Sequence, residues 1–397
     1  MNSDALTSKY VDTMRDFLEN TESGSTCTDP YIQHYSGSVN ASLKEVNLQL
    51  PNYSTSSSCF SAVPPKTNIS VKSRLNVSER NLLCMSIRGD EIVVGGADHG
   101  LHVIKSTCGV LKPTRTLYSK KFGHAEWVTA VVHTQDGRIV SGGMDSKICV
   151  WRGVQCKDLV GHVGSISGIQ LIGNFNIISP SYDRSLKIWD INKTSPLASM
   201  HGHKGAVLDF VLFKDNQAVS GGRDGRVFLW DISRAKSITS FVAHTGHVTN
   251  TKRTCDEKII VTGGNDGFVR FWDVRVSRCI HEEGLSESAA VTILESNQES
   301  GMLGAVTADN VVTVFDTRTF RRSCSWTELN TNHIYSAKIC SEDTFFLGTG
   351  NGDIILRNRI GDMVQRVKVD SNAIRCIGTD GNGYIIAATD DGNVISF

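Results

Sequence analysis

Short apolar runs alternate along most of this chain with turns rich in Asp, Asn and Gly. Ala206 to Phe213, Gln217 to Gly221 and Arg226 to Trp230 form one group of three such runs, rich in β-branched and aromatic residues. Runs of this kind, separated by turn residues, predict an antiparallel β-meander. A fourth run precedes the next group, as at Lys236 to Val242 or, in another unit, Cys156 to Val160. Each group therefore predicts one four-stranded sheet.

The groups recur with a fixed order of marker residues: Gly-His, an apolar strand, Ser-Gly, Asp and Trp-Asp. The clearest copy runs from Gly202 to Asp231, and others run from Gly123 to Trp151, Gly161 to Asp190 and Ala243 to Asp273. A period of about 40 residues indicates a repeat array. One such sheet cannot bury both of its faces alone, whereas a ring of sheets can.

These copies resemble the WD40-repeat family, and weaker copies extend the resemblance over most of residues 65–397. The four outer units lack the Trp and a matching Gly-His. The starts of the units are separated by 38 to 45 residues and lie at Leu82, Trp127, Ser165, Ala206, His247, Ala289, Ile334 and Asn372. We therefore predict an all-β fold, a WD40 β-propeller of eight blades, with the seven-bladed form that is commoner in the family as the alternative. The last unit stops after its third strand, so Pro65 to Leu75 is predicted to supply its outer strand and close the ring.

Residues 1–64 are predicted to form an extension outside this propeller. Residues 4–19 have the spacing of one amphipathic helix, with apolar side chains at Leu6, Tyr10, Met14, Phe17 and Leu18. The residues after it are dominated by Ser, Thr, Asn and Gly, a composition too polar to build a core, and predict a tether. Residues 1–30 carry six acidic and two basic side chains, a charge that suits a basic groove on a partner. Docking of the helix on its own propeller and binding to another protein both stay open.

Composition narrows the choice of partner and compartment. The formal net charge of zero argues against a general nucleic-acid or membrane surface, since both rely on clustered Lys and Arg. Eleven cysteines occur without a Cys-x-x-Cys pair, which favours reduced thiols and an intracellular protein. Neither a membrane-spanning apolar run nor a signal sequence is apparent. We expect a cytoplasmic location, with cytoskeletal or nuclear association open, and not secretion.

Each clear repeat contains a His, a Ser or Thr, an Asp and a Trp. Such groups also assemble in serine hydrolases, but an enzyme rarely needs four copies of its triad. The resemblance instead implies a structural tetrad, in which Asp accepts a hydrogen bond from His, His meets the hydroxyl, and the hydroxyl meets the indole. The four tetrads are His124, Ser141, Asp145 and Trp151; His162, Ser179, Asp183 and Trp189; His203, Ser220, Asp224 and Trp230; and His244, Thr262, Asp266 and Trp272.

Other chemical motifs are weak. The chain contains no His-Glu-x-x-His, no phosphate-binding loop ending in Gly-Lys-Ser/Thr, and no closely paired cysteines for zinc. His244 with His247, and His99 with His102, have spacings that suit a metal, but a structural role is favoured for both pairs. We therefore predict no catalytic residue, no cofactor and no metal.

The resemblance implies that the turns between second and third strands, and the starts of the first strands, gather on one rim around the central channel. Aromatic residues and Arg often anchor interfaces. The predicted partner-binding residues on this rim are Trp127, Met144, Tyr182, Arg223, His247 and Asn265. The alternative for each is local packing without a partner.

The leading functional hypothesis is a non-enzymatic scaffold that binds a peptide or protein on the rim and a second partner through the N-terminal helix. The first alternative is a substrate- or ubiquitin-recognition subunit of a ubiquitin-ligase complex. The second is a structural component of a cytoskeletal or axonemal assembly. An enzyme acting in the central channel is least favoured, because cofactor motifs are missing.

Overall fold

The computed structural model describes residues 69–118, 122–213, 216–256, 258–341 and 344–397. These residues form eight antiparallel sheets of four strands each. The predicted helix at residues 4–19 and the predicted tether lie outside the described residues. The described part of the chain contains no helical stretch with the length and apolar character that a membrane-spanning helix requires.

Each sheet is one blade, with its strands in chain order from the first to the fourth. Blades 1 to 4 contain β2 (Leu82–Arg88), β3 (Glu91–Gly96), β4 (Leu101–Thr107) and β5 (Val110–Leu117); β6 (Val128–His133), β7 (Ile139–Gly143), β8 (Ile148–Arg152) and β9 (Gln155–Leu159); β10 (Gln170–Ile172), β11 (Asn176–Pro180), β12 (Ser185–Asp190) and β13 (Ala198–His201); and β14 (Val207–Phe213), β15 (Gln217–Gly222), β16 (Arg226–Asp231) and β17 (Lys236–Val242). Blades 5 to 8 contain β18 (Val248–Arg253), β19 (Ile259–Gly264), β20 (Phe268–Asp273) and β21 (Arg278–Gly284); β22 (Val291–Asn297), β23 (Met302–Thr307), β24 (Val311–Asp316) and β25 (Arg321–Thr327); β26 (Ile334–Ser341), β27 (Thr344–Thr349), β28 (Asp353–Asn358) and β29 (Met363–Lys368); and β30 (Ile374–Thr379), β31 (Ile385–Thr389), β32 (Asn393–Ser396) and β1 (Ser73–Asn76).

The blades are arranged in a closed ring. From blade 4 round to blade 2 the first strands of neighbouring blades contact one another, and β2 of blade 1 contacts both β6 of blade 2 and β30 of blade 8. Blade 3, whose first strand is short, contacts blade 4 through β11 and β14, and the carbonyl of its Ile166 accepts a bond from the Thr129 hydroxyl of blade 2. The first strands therefore surround the central axis, and the prediction of eight blades is confirmed over the seven-bladed alternative. In every blade the turn between second and third strands lies at one end of the ring, which we call the rim, and the turn between third and fourth strands lies at the opposite end.

Apolar side chains fill the space between neighbouring blades. Val93 and Leu101 of blade 1 pack with Val128 and Trp151 of blade 2, and the same kind of cluster recurs between every successive pair of blades. A fully buried Val, Leu or Ile contributes about 1.5–3 kcal/mol relative to an exposed one. Each blade is thus stabilised through both of its faces. In an open ring, one face of each of the two terminal blades would lose the neighbouring blade that buries it.

A strand from the N-terminal side completes blade 8, as predicted. β1 pairs antiparallel with β32, from Ser73 opposite Ser396 to Asn76 opposite Asn393. Upstream, Ile69 is buried between blades 7 and 8, and the Gln365 side chain bonds its N–H and its carbonyl at 2.8 Å each.

The closing strand is shorter than the predicted Pro65 to Leu75. Residues 65–68 lie outside the described residues, and Val71 is 47% exposed and precedes the first paired residue. Leu75 is the strand residue that packs against the core between blades 8 and 1. The prediction therefore placed the strand too early, because it read Ile69 and Val71 as one alternating run.

Blade 3 departs most from the regular repeat. Its first strand, predicted to begin at Ser165, is reduced to three residues, Gln170–Ile172, preceded by an isolated bridge between Ile166 and Ser181. The N–H of Ser167 donates to the carbonyl of Pro180 at 3.1 Å, but Pro180 has no N–H with which to return the bond. The ladder is therefore interrupted where Pro180 faces the first strand.

Hydrogen bonds join all four His, Asp, hydroxyl and Trp sets. In blade 4 the Nδ1–H of His203 bonds Asp224 at 3.0 Å, the hydroxyl of Ser220 lies 2.8 Å from Nε2 of His203, and the indole N–H of Trp230 donates to that hydroxyl at 2.8 Å. Every polar group in this chain of bonds therefore has a partner. The corresponding bonds in blades 2, 3 and 5 measure 2.6–3.0 Å.

The tetrad also fixes the backbone at the rim. Both oxygens of Asp224 accept backbone bonds, one from the N–H of Lys204 before the first strand and one from that of Arg226 after the turn. A Cβ on Gly222 would lie 2.6 Å from Nδ1 of His203 and 2.7 Å from Asp224, so only glycine leaves room for this network. The two loops that each of these blades brings to the rim are thereby held together by buried bonds.

The tetrad carboxyls have lowered pKa values. Burial raises the pKa of Asp224, but the hydrogen bonds and charge of His203 and two backbone N–H groups outweigh burial and lower the pKa to about 2. The pKa values of the other three are lowered against the same effect of burial: Asp145, Asp183 and Asp266.

Replacing a tetrad carboxylate should destabilise the propeller. Asp224→Ala leaves buried His203 without its acceptor, and we expect the free energy of unfolding to fall by about 1–3 kcal/mol. Arg223→Ala, one residue away and exposed at the rim, is the control and should change it by less than about 0.5 kcal/mol. Urea unfolding followed by tryptophan fluorescence measures both, and equal losses would contradict the assignment.

The lowered carboxyl pKa values also predict how stability depends on pH. A carboxyl with a folded pKa below its unfolded value of about 3.9 stabilises the fold above that value, and this contribution is lost as pH falls through the folded pKa. We expect the free energy of unfolding to decrease between about pH 5 and pH 2, and to decrease less steeply in Asp224→Asn. Identical pH profiles for the two proteins would show that Asp224 contributes nothing to this dependence.

Candidate protein-interaction rim

One backbone hydrogen bond recurs at the rim of every blade. The residue before the turn Asp, or its equivalent, donates its N–H to the carbonyl of the residue that enters the first strand. In blades 2 to 5 these bonds join Met144 to Trp127 at 2.9 Å, Tyr182 to Ser165 at 3.0 Å, Arg223 to Ala206 at 2.8 Å and Asn265 to His247 at 2.8 Å. The six residues predicted to bind a partner therefore all lie at the same end of the ring.

Contacts between blades connect these pairs into one arc. The Ser165 hydroxyl donates to the carbonyl of Met144 at 3.2 Å, and Nδ1 of His247 lies 2.6 Å from the carbonyl of Arg223. Partial burial raises the pKa of the Tyr182 phenol, and the nearby positive charge of Arg223 opposes this shift. The predicted rim residues of blades 2 to 5 thus form a continuous surface.

The exposure of the rim side chains is graded. Tyr182 is 46% exposed and Arg223 is exposed, and the rest are half-buried: Trp127, Met144, His247 and Asn265. The backbone beneath them is fixed by the hydrogen bonds above. A rigid base with accessible aromatic and Arg side chains is typical of interface anchors.

The structure adds three rim residues that sequence reasoning missed. Arg184 follows the tetrad residue Asp183 at the tip of its turn, with φ of 69°, and Lys204 follows His203; both are exposed. Val163 follows His162 and is 87% exposed. Each of these residues directly follows a tetrad His or Asp in the sequence, and that position could have predicted its place on the rim.

Charge is distributed unevenly around the rim. We call Tyr182, Arg184, Lys204 and Arg223 of blades 3 and 4 the cationic arc. The tetrad carboxylates beside it, Asp183 and Asp224, bind His and backbone N–H groups. Glu126 on the rim of blade 2 is exposed. Blade 6 instead exposes Glu287 and Asp309.

A second aromatic group lies on the rim at blades 7 and 8. The guanidinium of Arg375 stacks over the ring of Tyr335 at 4.2 Å and forms two bonds of 2.8 and 2.9 Å with Asp390. His333 contacts the edge of the same ring, and Tyr335 is 38% exposed. Here the cation is matched by a carboxylate, so this group lacks the positive character of the cationic arc.

Blades without the full marker pattern contain substitute networks. In blade 1, His102 comes from the third strand and bonds Asp98 at 2.7 Å, and the Ser78 hydroxyl donates to the same carboxylate at 2.8 Å. In blade 7, Glu328 accepts bonds from the indole of Trp326 and from Arg357, at 2.9 and 2.6 Å. The sequence did not predict these networks, because Ser78 and Arg357 stand where the other blades have the tetrad His and Trp, and their partners His102 and Glu328 come from other positions of the repeat.

The two histidine pairs considered for metal binding have other partners. His102 bonds Asp98 and Thr116, while His244 belongs to a tetrad and the ring of His247 contacts the carbonyl of Arg223. One member of each pair, His102 and His244, is thus already bonded to a carboxylate.

Comparison with known proteins places these observations in context. The model of the family "WD domain, G-beta repeat" matches residues 112–152, 153–190, 194–231 and 235–273. The ribosome biogenesis protein YTM1 of Candida glabrata is 33% identical over 89 residues, 22% of this chain and 19% of that protein. The small ribosomal subunit protein RACK1 of Neurospora crassa is 33% identical over 86 residues, 20% of this chain and 27% of that protein. The chain thus matches about a fifth to a quarter of the length of these relatives.

Solved structures agree over a longer span. Chaetomium thermophilum Sqt1, bound to the N-terminus of the ribosomal protein L10, superposes with a TM-score of 0.71 over 82% of this chain and 99% of that chain, at 15% identity. At that identity the similarity shows the fold alone. Residues 112–273 thus contain four WD40 repeats, and these lie within a closed β-propeller of eight four-stranded blades.

Proposed function

We propose that this protein is a non-enzymatic interaction platform whose cationic arc binds an acidic segment of a partner protein. The observation that carries the proposal is the grouping of Arg184, Lys204 and Arg223 around Tyr182 on two neighbouring blades, at the end of the ring where every blade presents two fixed loops. Charge complementarity of this kind selects partners and accelerates association.

Charge alone does not supply the affinity. An exposed ion pair contributes about 0–1 kcal/mol, so three such pairs give weak binding. Tyr182, Trp127 and exposed Val163 add aromatic and apolar surface next to the cations. The partner segment that fits is therefore acidic with an aromatic or aliphatic side chain close to its carboxylates.

The comparisons support a role in protein binding. The Sqt1 complex is one case in which a propeller of this fold holds the terminal segment of another protein. Two relatives are named for ribosome biogenesis and for the small ribosomal subunit, which supports an intracellular site of action. The nine cysteines among the described residues are free thiols, in keeping with a reducing compartment.

The tetrads support the absence of hydrolase chemistry. The hydroxyl of Ser220 is fully buried, interacts with Nε2 of His203 and accepts a bond from Trp230. A nucleophile has to reach a substrate carbonyl, and this hydroxyl is closed off by its own network. The same arrangement recurs in the other three tetrads.

We propose further that residues 4–19 bind a second partner, which would make the protein bivalent. Two linked sites raise the effective concentration of one partner near the other without any new contact. Residues 1–30 contain six acidic residues and so have the charge that the cationic arc selects. This segment can therefore compete with an acidic partner segment for the arc.

Charge reversal at the rim tests the first site. We expect Arg184→Glu/Arg223→Glu to lose an acidic partner, with an affinity at least about 10-fold lower, since two favourable pairs become repulsive. The control, Lys193→Glu/Arg234→Glu, changes two cations of the same blades at the opposite end, with exposed fractions of 61% and 81%. Affinity purification with mass spectrometry, followed by calorimetry with the recovered segment, provides the comparison; equal loss in both variants contradicts the assignment.

Removal of residues 1–64 tests the second site. The truncated protein should lose one set of partners and keep the set that depends on Arg184 and Arg223. If truncation instead increases the affinity of the rim for its acidic segment and loses no partner, the N-terminal segment occupies the rim and the bivalent model is wrong. Cullin scaffolds or ubiquitin among the rim partners would favour the ubiquitin-ligase alternative, and tubulin the cytoskeletal one.

A further inference from the structure

Two thiols and a carboxylate meet on blade 2, away from the rim residues. The register of β8 and β9 places Cys149 opposite Asp158 and Trp151 opposite Cys156, so all these side chains share one face. Sγ of Cys149 lies 3.6 Å and Sγ of Cys156 lies 3.3 Å from Oδ1 of Asp158. The three potential ligand atoms all lie within 4.8 Å of one another.

We propose that Cys149, Cys156 and Asp158 form a zinc site, with a water molecule as the fourth ligand. Zinc binds thiolate at about 2.3 Å and carboxylate at about 2.0–2.2 Å in tetrahedral geometry, which separates a sulfur and an oxygen ligand by about 3.5 Å. The two sulfur-to-oxygen distances, 3.6 and 3.3 Å, lie on either side of that value. The side chains therefore need only small shifts to coordinate an ion.

Ligand chemistry and charge select zinc over hard cations. Two thiolates favour zinc over Mg²⁺ and Ca²⁺, which prefer oxygen. Nζ of Lys147 lies 3.5 Å from Oδ2 of Asp158, whereas both sulfurs approach the other carboxylate oxygen, Oδ1. With both thiols deprotonated, the three ligands carry three negative charges, which Zn²⁺ and the ammonium of Lys147 together neutralise.

The position of the site allows an ion to enter. Cys149 is buried against the cluster between blades 1 and 2, which holds one ligand in place. Cys156 and Asp158 lie on the outermost strand, and the Asp158 side chain is 26% exposed. Solvent can therefore reach the open coordination position.

The other three blades with tetrads use different residues at these places. The pair equivalent to Cys149 and Asp158 is Lys187 and Ser199 in blade 3, Phe228 and Ser240 in blade 4, and Arg270 and Glu282 in blade 5. The thiol and carboxylate pair is thus a feature of blade 2 and not of the repeat. The sequence does not reveal this group, because the two cysteines are seven residues apart and meet only through the hairpin register.

Two simpler states of the same residues compete with a zinc site. Both thiols can donate S–H bonds to Asp158 with no metal bound. A disulfide is geometrically less suited, because diagonal neighbours on paired strands have Cα atoms about 7–8 Å apart and a disulfide requires less than about 7 Å.

Zinc titration of the reduced, untagged full chain distinguishes these states. Calorimetry should show one Zn²⁺ per chain, and Co²⁺ should produce thiolate-to-cobalt charge-transfer absorption at the same stoichiometry. Cys156→Ser and Asp158→Asn should weaken zinc binding by at least about 100-fold, because loss of an outer-shell partner alone costs 10–100-fold. The matched control is Cys279→Ser, which changes a thiol at the position of Cys156 in blade 5, opposite Trp272, and should leave the affinity unchanged.

A second readout covers variants that fold poorly. Zinc should raise the unfolding temperature of the wild-type chain and of Cys279→Ser, and should not change that of Cys156→Ser. The comparison uses proteins whose circular dichroism spectra show the same secondary structure. The proposal is overturned if no stoichiometric zinc binds, or if Cys156→Ser and Asp158→Asn retain wild-type affinity. Conversion of Cys149 and Cys156 to a disulfide by mild peroxide, with no protection by zinc, would also overturn it.

Discussion

The whole structure depends on closure of the ring by a strand from the opposite end of the chain. Blade 8 supplies only three strands from residues 374–396, and β1 completes it by pairing with β32. Because each blade buries apolar side chains on both faces, the ring is stable only when every blade has two neighbours. Gln365 adds a second attachment, since its side chain bonds the backbone of Ile69 just before the closing strand.

Closure and the tetrads together explain how the rim can carry function. Ser220, His203 and Asp224 join the second strand, the loop before the first strand and the turn before the third. The backbone at the rim is therefore set by buried bonds, while the side chains between those bonds are free to differ from blade to blade. Blades 3 and 4 use this freedom for cations and Tyr182, and blade 6 uses it for Glu287 and Asp309.

The sequence predicted the features that recur from blade to blade and did not predict those that occur in a single blade. The sequence predicted eight blades from its recurring groups of strands, and its resemblance to WD40 repeats implied the membership of each tetrad and the rim positions. It did not predict the shortened first strand of blade 3, which follows from the missing N–H of Pro180, or the buried pair of Glu328 and Arg357, whose partners lie 29 residues apart.

The candidate sites illustrate the same limit. Arg184 and Lys204 are visible in the sequence, but only the structure shows that both are exposed on the side of the ring that holds Tyr182. Cys149, Cys156 and Asp158 depend on the register of one hairpin, and a register is decided by pairing across strands and not by spacing along one. A repeat pattern in the sequence therefore does not predict contacts that depend on the register of paired strands.

Site-specific photo-cross-linking tests the central claim, that the cationic arc is a binding surface, most directly. A photoreactive residue replaces Tyr182 in one protein and Val276 in another; Val276 is 65% exposed, between the third and fourth strands of blade 5 at the opposite end of the ring. The account predicts that position 182 cross-links to one acidic segment of a partner, mapped by mass spectrometry, and that position 276 does not. Cross-links to that segment from position 276 alone, or equally from both positions, would contradict it.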